Sequence, residues 1–239
     1  MAVDVIDLRA FYASPLGQVA ERFLQRAICE RWTSCAGYSV LGIGYAIPYL
    51  EALRVNSVRT LSFMPAEQGV VRWPSEGPSA SALVDVAALP LPDSCMDRVL
   101  VVHALENTDH PRDMLAEIWR ILTPGGRVVL VTPNRAGVWA RFDTTPFGQG
   151  QPFSRSQLRA LMRQALFSPI HWEEALYAPP FERRLLLRCA PALETLGRKL
   201  SLPGSGVHLV EATKQLYQPV TLRRASRRVA QWRPALSSA

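Results

Sequence analysis

The sequence predicts an α/β fold, doubly wound, with a mostly parallel sheet and helices on both faces. Three observations predict it. From residue 38 to 133, short apolar runs alternate with helical stripes over short connections, the signature of βαβ units. The strongest runs, "MDRVLVV" and "RVVLVTP", are apolar at consecutive positions, as strands buried on both faces are. The stretch "VLGIGYAIPYL", Val40 to Leu50, passes from strand through a glycine-bearing turn into a helix, where α/β proteins bind nucleotide-like ligands.

The elements follow in order. "DLRAFYASPLG" reads as an N-terminal loop leading to a helix. Ser14-Pro15 opens that helix, with Ser as N-cap and Pro in the first turn. Leu16, Val19, Phe23, Ala27 and Ile28 give it an apolar stripe to about Trp32. "YSVLGIG" is a buried strand and "PYLEAL" the helix after it. "SVRTLSFM" is a second strand, with "PAEQGV" opening a short helix. A third short strand lies in "SALVDVAALPLPD", and "MDRVLVVHAL" is the fourth. Met114, Leu115, Ile118, Ile121 and Leu122 form a helical stripe, which "TPGG" stops before the strand "RVVLVTP". Ser154 and Gln157 form a capping box ahead of Leu158, Leu161, Met162 and Leu166. "HWEEALYAP" and "GVHLVEATKQLY" read as two strands. Between them lies a helical segment near 181–200, rich in Leu and Arg and interrupted by Pro191. Residues 1–220 read as one domain: a helical cap at 1–35, a binding core at 36–150 and a C-terminal part at 151–220. Residues 221–239 read as a basic tail.

The totals narrow the class. The chain has 239 residues, 48% hydrophobic and 20% charged, which suits a globular domain with a full core. No apolar run reaches the roughly 18 residues that span a bilayer. The N-terminus lacks a basic region followed by an apolar one, which argues against a secretory signal. Cysteines at 29, 35, 95 and 189 include no CxxC pair, which argues against a zinc site, and they point to free thiols in the cytoplasm. The charge is uneven. Residues 151–239 hold 14 Lys/Arg against 5 Asp/Glu, whereas residues 1–150 hold 13 against 15. The basic C-terminus is either a solvated tail or a contact for nucleic acid or an acidic protein.

"LPLPDSCMDRVLVVHALENTDHP" and "EIWRILTPGGRVVLVTPN", in this order of elements, resemble the class I S-adenosylmethionine-dependent methyltransferases, and among them the type 11 group. The likeness covers about residues 36–180. It implies a Rossmann-like sheet of seven strands with one of them antiparallel, S-adenosylmethionine as cofactor, and methyl transfer to an acceptor the motifs do not name. In the family the first strand ends in an acid and alternate glycines that let the backbone approach the cofactor's aminoacyl part. Here those places hold Gly42, Gly44, Ala46 and Pro48, with Tyr45 at the mouth. The acid that accepts from the ribose hydroxyls falls at Phe63 or Met64, neither of which can accept, and Glu67 lies one helical turn on. That loss is worth about 10- to 150-fold in affinity. The resemblance places Asp85 at the adenine amino group, with the backbone of Val86 and Ala87 along the ring. Alternatively Asp85 caps a turn. His103, at the end of the fourth strand, is the one candidate for a catalytic group, orienting a substrate or acting as base, or else a satisfied polar residue.

The acceptor would be chosen by the N-terminal loop and by the segment after residue 140, where Tyr12, Trp139, Phe142, Phe147 and Phe153 either wall a pocket or pack. The segment 181–200 either touches an anionic membrane surface or packs its apolar side on the core. Two rival functions remain. One is a methyltransferase-like scaffold without catalysis, serving as a binding partner. The other is a ribosome- or RNA-associated protein anchored by its basic C-terminus.

Overall fold

The computed structural model describes residues 3–200 and 202–214. The basic tail expected at 221–239 lies outside them. Seven strands form one sheet in the order β3-β2-β1-β4-β5-β7-β6. They are β1 (Ser39–Gly44), β2 (Arg59–Pro65), β3 (Ser81–Val84), β4 (Met96–Val102), β5 (Leu122–Pro133), β6 (Phe167–Ala175) and β7 (Val207–Lys214). β7 runs antiparallel to both its neighbours, and every other pairing is parallel. The expected doubly wound sheet, seven strands with one reversed, is therefore the observed one.

Alternation along the strands builds two cores. Val40, Leu100, Val102, Val129, Val131 and Leu209 point to one face, under α1 (Val5–Ala13), α2 (Pro15–Arg31) and α3 (Ile47–Arg54). Leu41, Ile43, Val99, Val101, Val128, Leu130 and Val210 point to the other, under α4 (Pro111–Ile121) and α5 (Arg155–Gln164). Successive strand residues point to opposite faces, so unbroken apolar runs are what a doubly covered sheet needs. α6 (Arg184–Leu200) packs on α2, where Ala190 and Leu187 meet Val19 and Phe23. No helix among the described residues is long and apolar enough to cross a membrane.

Several local expectations hold in detail. Ser14 Oγ accepts from the Gly17 N–H at 3.1 Å, and the Ser154–Gln157 capping box is complete. Others change. "DLRAFYASPLG" is not a loop: most of it is α1, capped by Asp4, whose Oδ1 accepts from the Ile6 N–H at 2.7 Å. "PAEQGV" is a turn and not a helix, because Gln68 folds back to donate its N–H to the Pro65 carbonyl at 2.9 Å. "TPGG" lies within β5. Leu122 pairs with Met96 and Arg127 with Arg98, so the glycines bulge between two pairings. Pro191 does not interrupt α6, which runs through it. The helix is held there by its packed face on α2, which offsets the missing N–H.

Candidate functional site

The carboxyl ends of β1 to β4 converge at one edge of the sheet. β1 ends at Gly44, with φ +78°. A Cβ there would run into the Val102 carbonyl oxygen and lie 2.7 Å from the Ala104 Cβ. Gly44 thus lets β1 and β4 close on each other. Ala46 has φ −86°, so alanine carries no strain at the second glycine position. Pro48 stands second in α3, where its missing N–H has no partner to lose. Gly42 is buried, and a Cβ there would come within 2.8 Å of the Ala46 Cβ and Leu50 Cδ1. The place of the family's acid is therefore filled by the packing of α3.

Beyond β2, β3 and β4 lies a cleft of about 380 Å³. The segments Pro65–Gln68 and Val84–Ala87 form two walls, with Ala104 and 107–110 opposite. Asp85 and Val86 are thus both at this cleft. The Asp85 Oδ1 also accepts from the Ala87 N–H at 2.8 Å, so the side chain shapes the turn it stands on. Met64 is fully buried in the core under α1 to α3 and does not line the cleft. Glu67 is exposed and does line it.

Two residues the sequence reading passed over stand at the same place. Gln68 Nε2 and Asn107 Nδ2 both donate to the His103 carbonyl, at 2.8 and 3.2 Å. Each line the cleft, and each has a buried amide oxygen without a partner. Buried acceptors without partners are rare in folded proteins; both oxygens are closed off from solvent, and the Asn107 Oδ1 lies toward Gly150.

Gly44, Tyr45 and His103 do not line the cleft. They are covered by α1. Tyr12 is 6% exposed and stacks on Tyr45 with ring centroids 5.4 Å apart. Its hydroxyl lies 2.9 Å from both Tyr49 Oη and His103 Nε2. One proton arrangement satisfies all three: Tyr49 donates to Tyr12, and Tyr12 donates to Nε2. The imidazole proton then sits on Nδ1, 3.5 Å from Glu106 Oε1. Burial, above all, holds the Tyr12 phenol well above its usual value, with further help from the neighbouring Tyr49. Burial likewise raises Tyr45 and Tyr49. All three phenols stay neutral and able to donate. Phe147 closes the far side, 4.7 Å from the His103 ring. Tyr12, Trp139 and Phe147 are core residues here, so the packing reading of these aromatics is the observed one.

These residues fit the adenosine end of S-adenosylmethionine. Asp85 and Glu67 bring exposed carboxylates to the cleft, whose lining Gln68 and Asn107 complete, and a nucleoside offers an amino group and hydroxyls to donate. At the turn after β1, where the aminoacyl end is expected, Tyr12 fills the space.

Comparison with known proteins bears on the fold and on the segment that carries it. Residues 41–130 match the methyltransferase domain family. A ubiquinone/menaquinone biosynthesis C-methyltransferase of Acidiphilium cryptum is 44% identical over 59 residues, 25% of this chain and 24% of that protein. A demethylmenaquinone methyltransferase of Chlamydia trachomatis is 29% identical over 105 residues, 44% of each. The chain thus spans less than half the length of these curated relatives. A solved S-adenosylmethionine-dependent methyltransferase from Archaeoglobus fulgidus superposes with a TM-score of 0.58 at 17% identity, covering 80% of this chain and 93% of that one. That likeness shows the fold. The matched segment lies on the β1–β5 core, so that core is similar in sequence to the methyltransferase domain family, and the whole sheet has the fold of a solved S-adenosylmethionine-dependent methyltransferase.

Proposed function

We propose that this protein transfers a methyl group from S-adenosylmethionine to an acceptor, with the cofactor's adenosine end in the cleft beside β2, β3 and β4. The observation that carries this reading is the convergence of Asp85, Glu67, Gln68 and Asn107 on one cleft of about 380 Å³. Asp85 would accept from the adenine amino group, with the backbone of Val86 along the ring. Glu67 would accept from the ribose, in place of an acid at Met64.

When bound, the cofactor supplies an electrophilic methyl group, so alignment and exclusion of water are the protein's main contributions. Glu106 Oε1 faces the His103 Nδ1 at 3.5 Å and the Tyr12 hydroxyl meets its Nε2, so the ring's orientation is fixed from both sides. A second cavity, about 420 Å³, lies between α1 and the segment 143–149 and is lined by Phe11, Asp143, Pro146 and Gln149. It supports an acceptor approach from that side. The first acceptor class to test is a quinone-biosynthesis intermediate, the class named for the A. cryptum relative. Four thiols, none of them bridged, support a reducing cytoplasmic setting as part of the same proposal.

Calorimetry with S-adenosylhomocysteine tests the reading. Saturable binding is expected, weakened about tenfold or more in Asp85→Ala, the worth of one hydrogen bond to a charged group. No heat at millimolar ligand overturns it.

A further inference from the structure

The strand order reverses between β1 and β4. A doubly wound sheet opens its ligand crevice at such a reversal. In this chain Tyr12 fills it, with its ring on Tyr45 from the β1 turn and its hydroxyl on His103 from the end of β4. α1 is also tied down at its start, where the Val5 N–H donates to the Gln68 carbonyl at 2.8 Å. The open cleft is lined by the segments after β2, β3 and β4, and neither Gly44 nor Tyr45 of the β1 turn reaches it. At about 380 Å³ it is at the small end of ligand pockets, which run roughly 300–1,000 Å³. Adenosine fits that space. A ligand that continues into an aminoacyl tail has to extend toward β1, where Tyr12 stands.

We propose that Tyr12 is a gate: with α1 seated, the cleft takes adenine nucleosides without an aminoacyl tail, and a tailed ligand binds only after Tyr12 leaves. This rests on the reading of the cleft as the adenosine end of the cofactor site. The gate has a definite strength. Two buried hydrogen bonds at 2.9 Å, at the usual net worth of such bonds, contribute about 5- to 150-fold to the seated state, beside the apolar docking of α1. The apparent dissociation constant of a tailed ligand rises by at least this contribution, because only the open fraction is competent. A tailless nucleoside does not meet this factor. Once Tyr12 leaves, Tyr49 Oη and His103 Nε2 lose their shared partner and would be free to meet polar groups of a tail.

The test compares adenosine, 5′-methylthioadenosine and S-adenosylhomocysteine by calorimetry on the full chain, Tyr12→Phe and Tyr12→Ala. Tyr12→Phe keeps the ring and loses both hydrogen bonds. It is expected to tighten S-adenosylhomocysteine by about fivefold or more and to leave the two tailless nucleosides within about twofold. Tyr12→Ala opens the space as well, and its gain for the tailed ligand is expected to exceed that of Tyr12→Phe. A wild-type readout stands beside the variants: S-adenosylhomocysteine speeds amide exchange in Val5–Ala13, and adenosine leaves it unchanged. Equal shifts for all three ligands, or slower exchange in α1 with the tailed ligand, overturn the gate while leaving the cofactor reading intact. No binding of any of the three to any form overturns both.

Discussion

Gly42 and Gly44 stand two residues apart and serve different ends. Gly44 has a positive φ and no room for a Cβ against the Val102 carbonyl, so it is required by the approach of β1 to β4. Gly42 is required by α3, whose Ala46 and Leu50 occupy the space a side chain would take. Restoring the family's acid with Gly42→Asp is therefore expected to cost about 2 kcal/mol or more, from overpacking and a buried charge. It is expected to bring no gain in S-adenosylhomocysteine affinity. Urea denaturation and calorimetry on the same sample check both statements. Met64 follows the same logic, since its side chain is committed to the core. Gln68 and Asn107 were not legible as site residues, because what distinguishes them is a shared bond to the His103 carbonyl, 35 and 4 residues away.

Helix α4 has two working sides. Its apolar stripe, Met114, Leu115, Ile118 and Ile121, is wholly buried, as its spacing predicts. Its other side carries Arg120, which donates to the Leu89 and Leu91 carbonyls at 3.0 and 2.8 Å and to Glu117. Glu117 Oε2 in turn accepts from the Leu89 N–H at 2.8 Å. This pair pins the loop that follows β3, and so the turn that carries Asp85. The hydrogen bond from Arg120, first among the causes, holds the Glu117 carboxyl below its usual value of 4.5. The unfolded chain then binds more protons than the folded one just below that pH. Stability from this group is present above pH 4.5 and is lost as pH falls through the folded value. Glu117→Gln is expected to make the acid limb of a stability–pH curve shallower, with little change in its shape near pH 7. Thermal melts at pH 3.5 to 7 would show it. α1 is the opposite case. Its nine residues are too few to be stable alone, and docking of Val5, Leu8 and Tyr12 decides its state.

Across the whole molecule the sheet separates two cores, and β1, β4 and β5 lie between them. Leu100 and Val101 show the division, one in each core and both fully buried. Burial on both faces makes these strands the last to open. In hydrogen exchange, amides of β1, β4 and β5 are expected to be the slowest and to exchange only by global unfolding. Those of α1, at the edge over the site, are expected to exchange much faster. Comparable protection in α1 and β4 would contradict this division and show that the N-terminal helix is part of the global unit.

Periodicity and word order in the chain carried the fold. Unbroken apolar runs called for a doubly covered parallel sheet, helical stripes supplied its crossovers, and caps such as Ser14 and Ser154 set helix starts to the residue. Those signals are local, with a period of two or 3.6 residues, and they survive without knowledge of neighbours. The state of the binding edge is not local. Whether Tyr12 reaches His103, 91 residues away, depends on where α1 docks. Whether Gly42 leaves a vacancy for an acid or a seat for Leu50 depends on how closely α3 lies against β1. Whether Asp85 caps a turn or lines a cleft has the answer that it does both. Each of these is a contact between elements distant in sequence, set by packing that no spacing along the chain encodes.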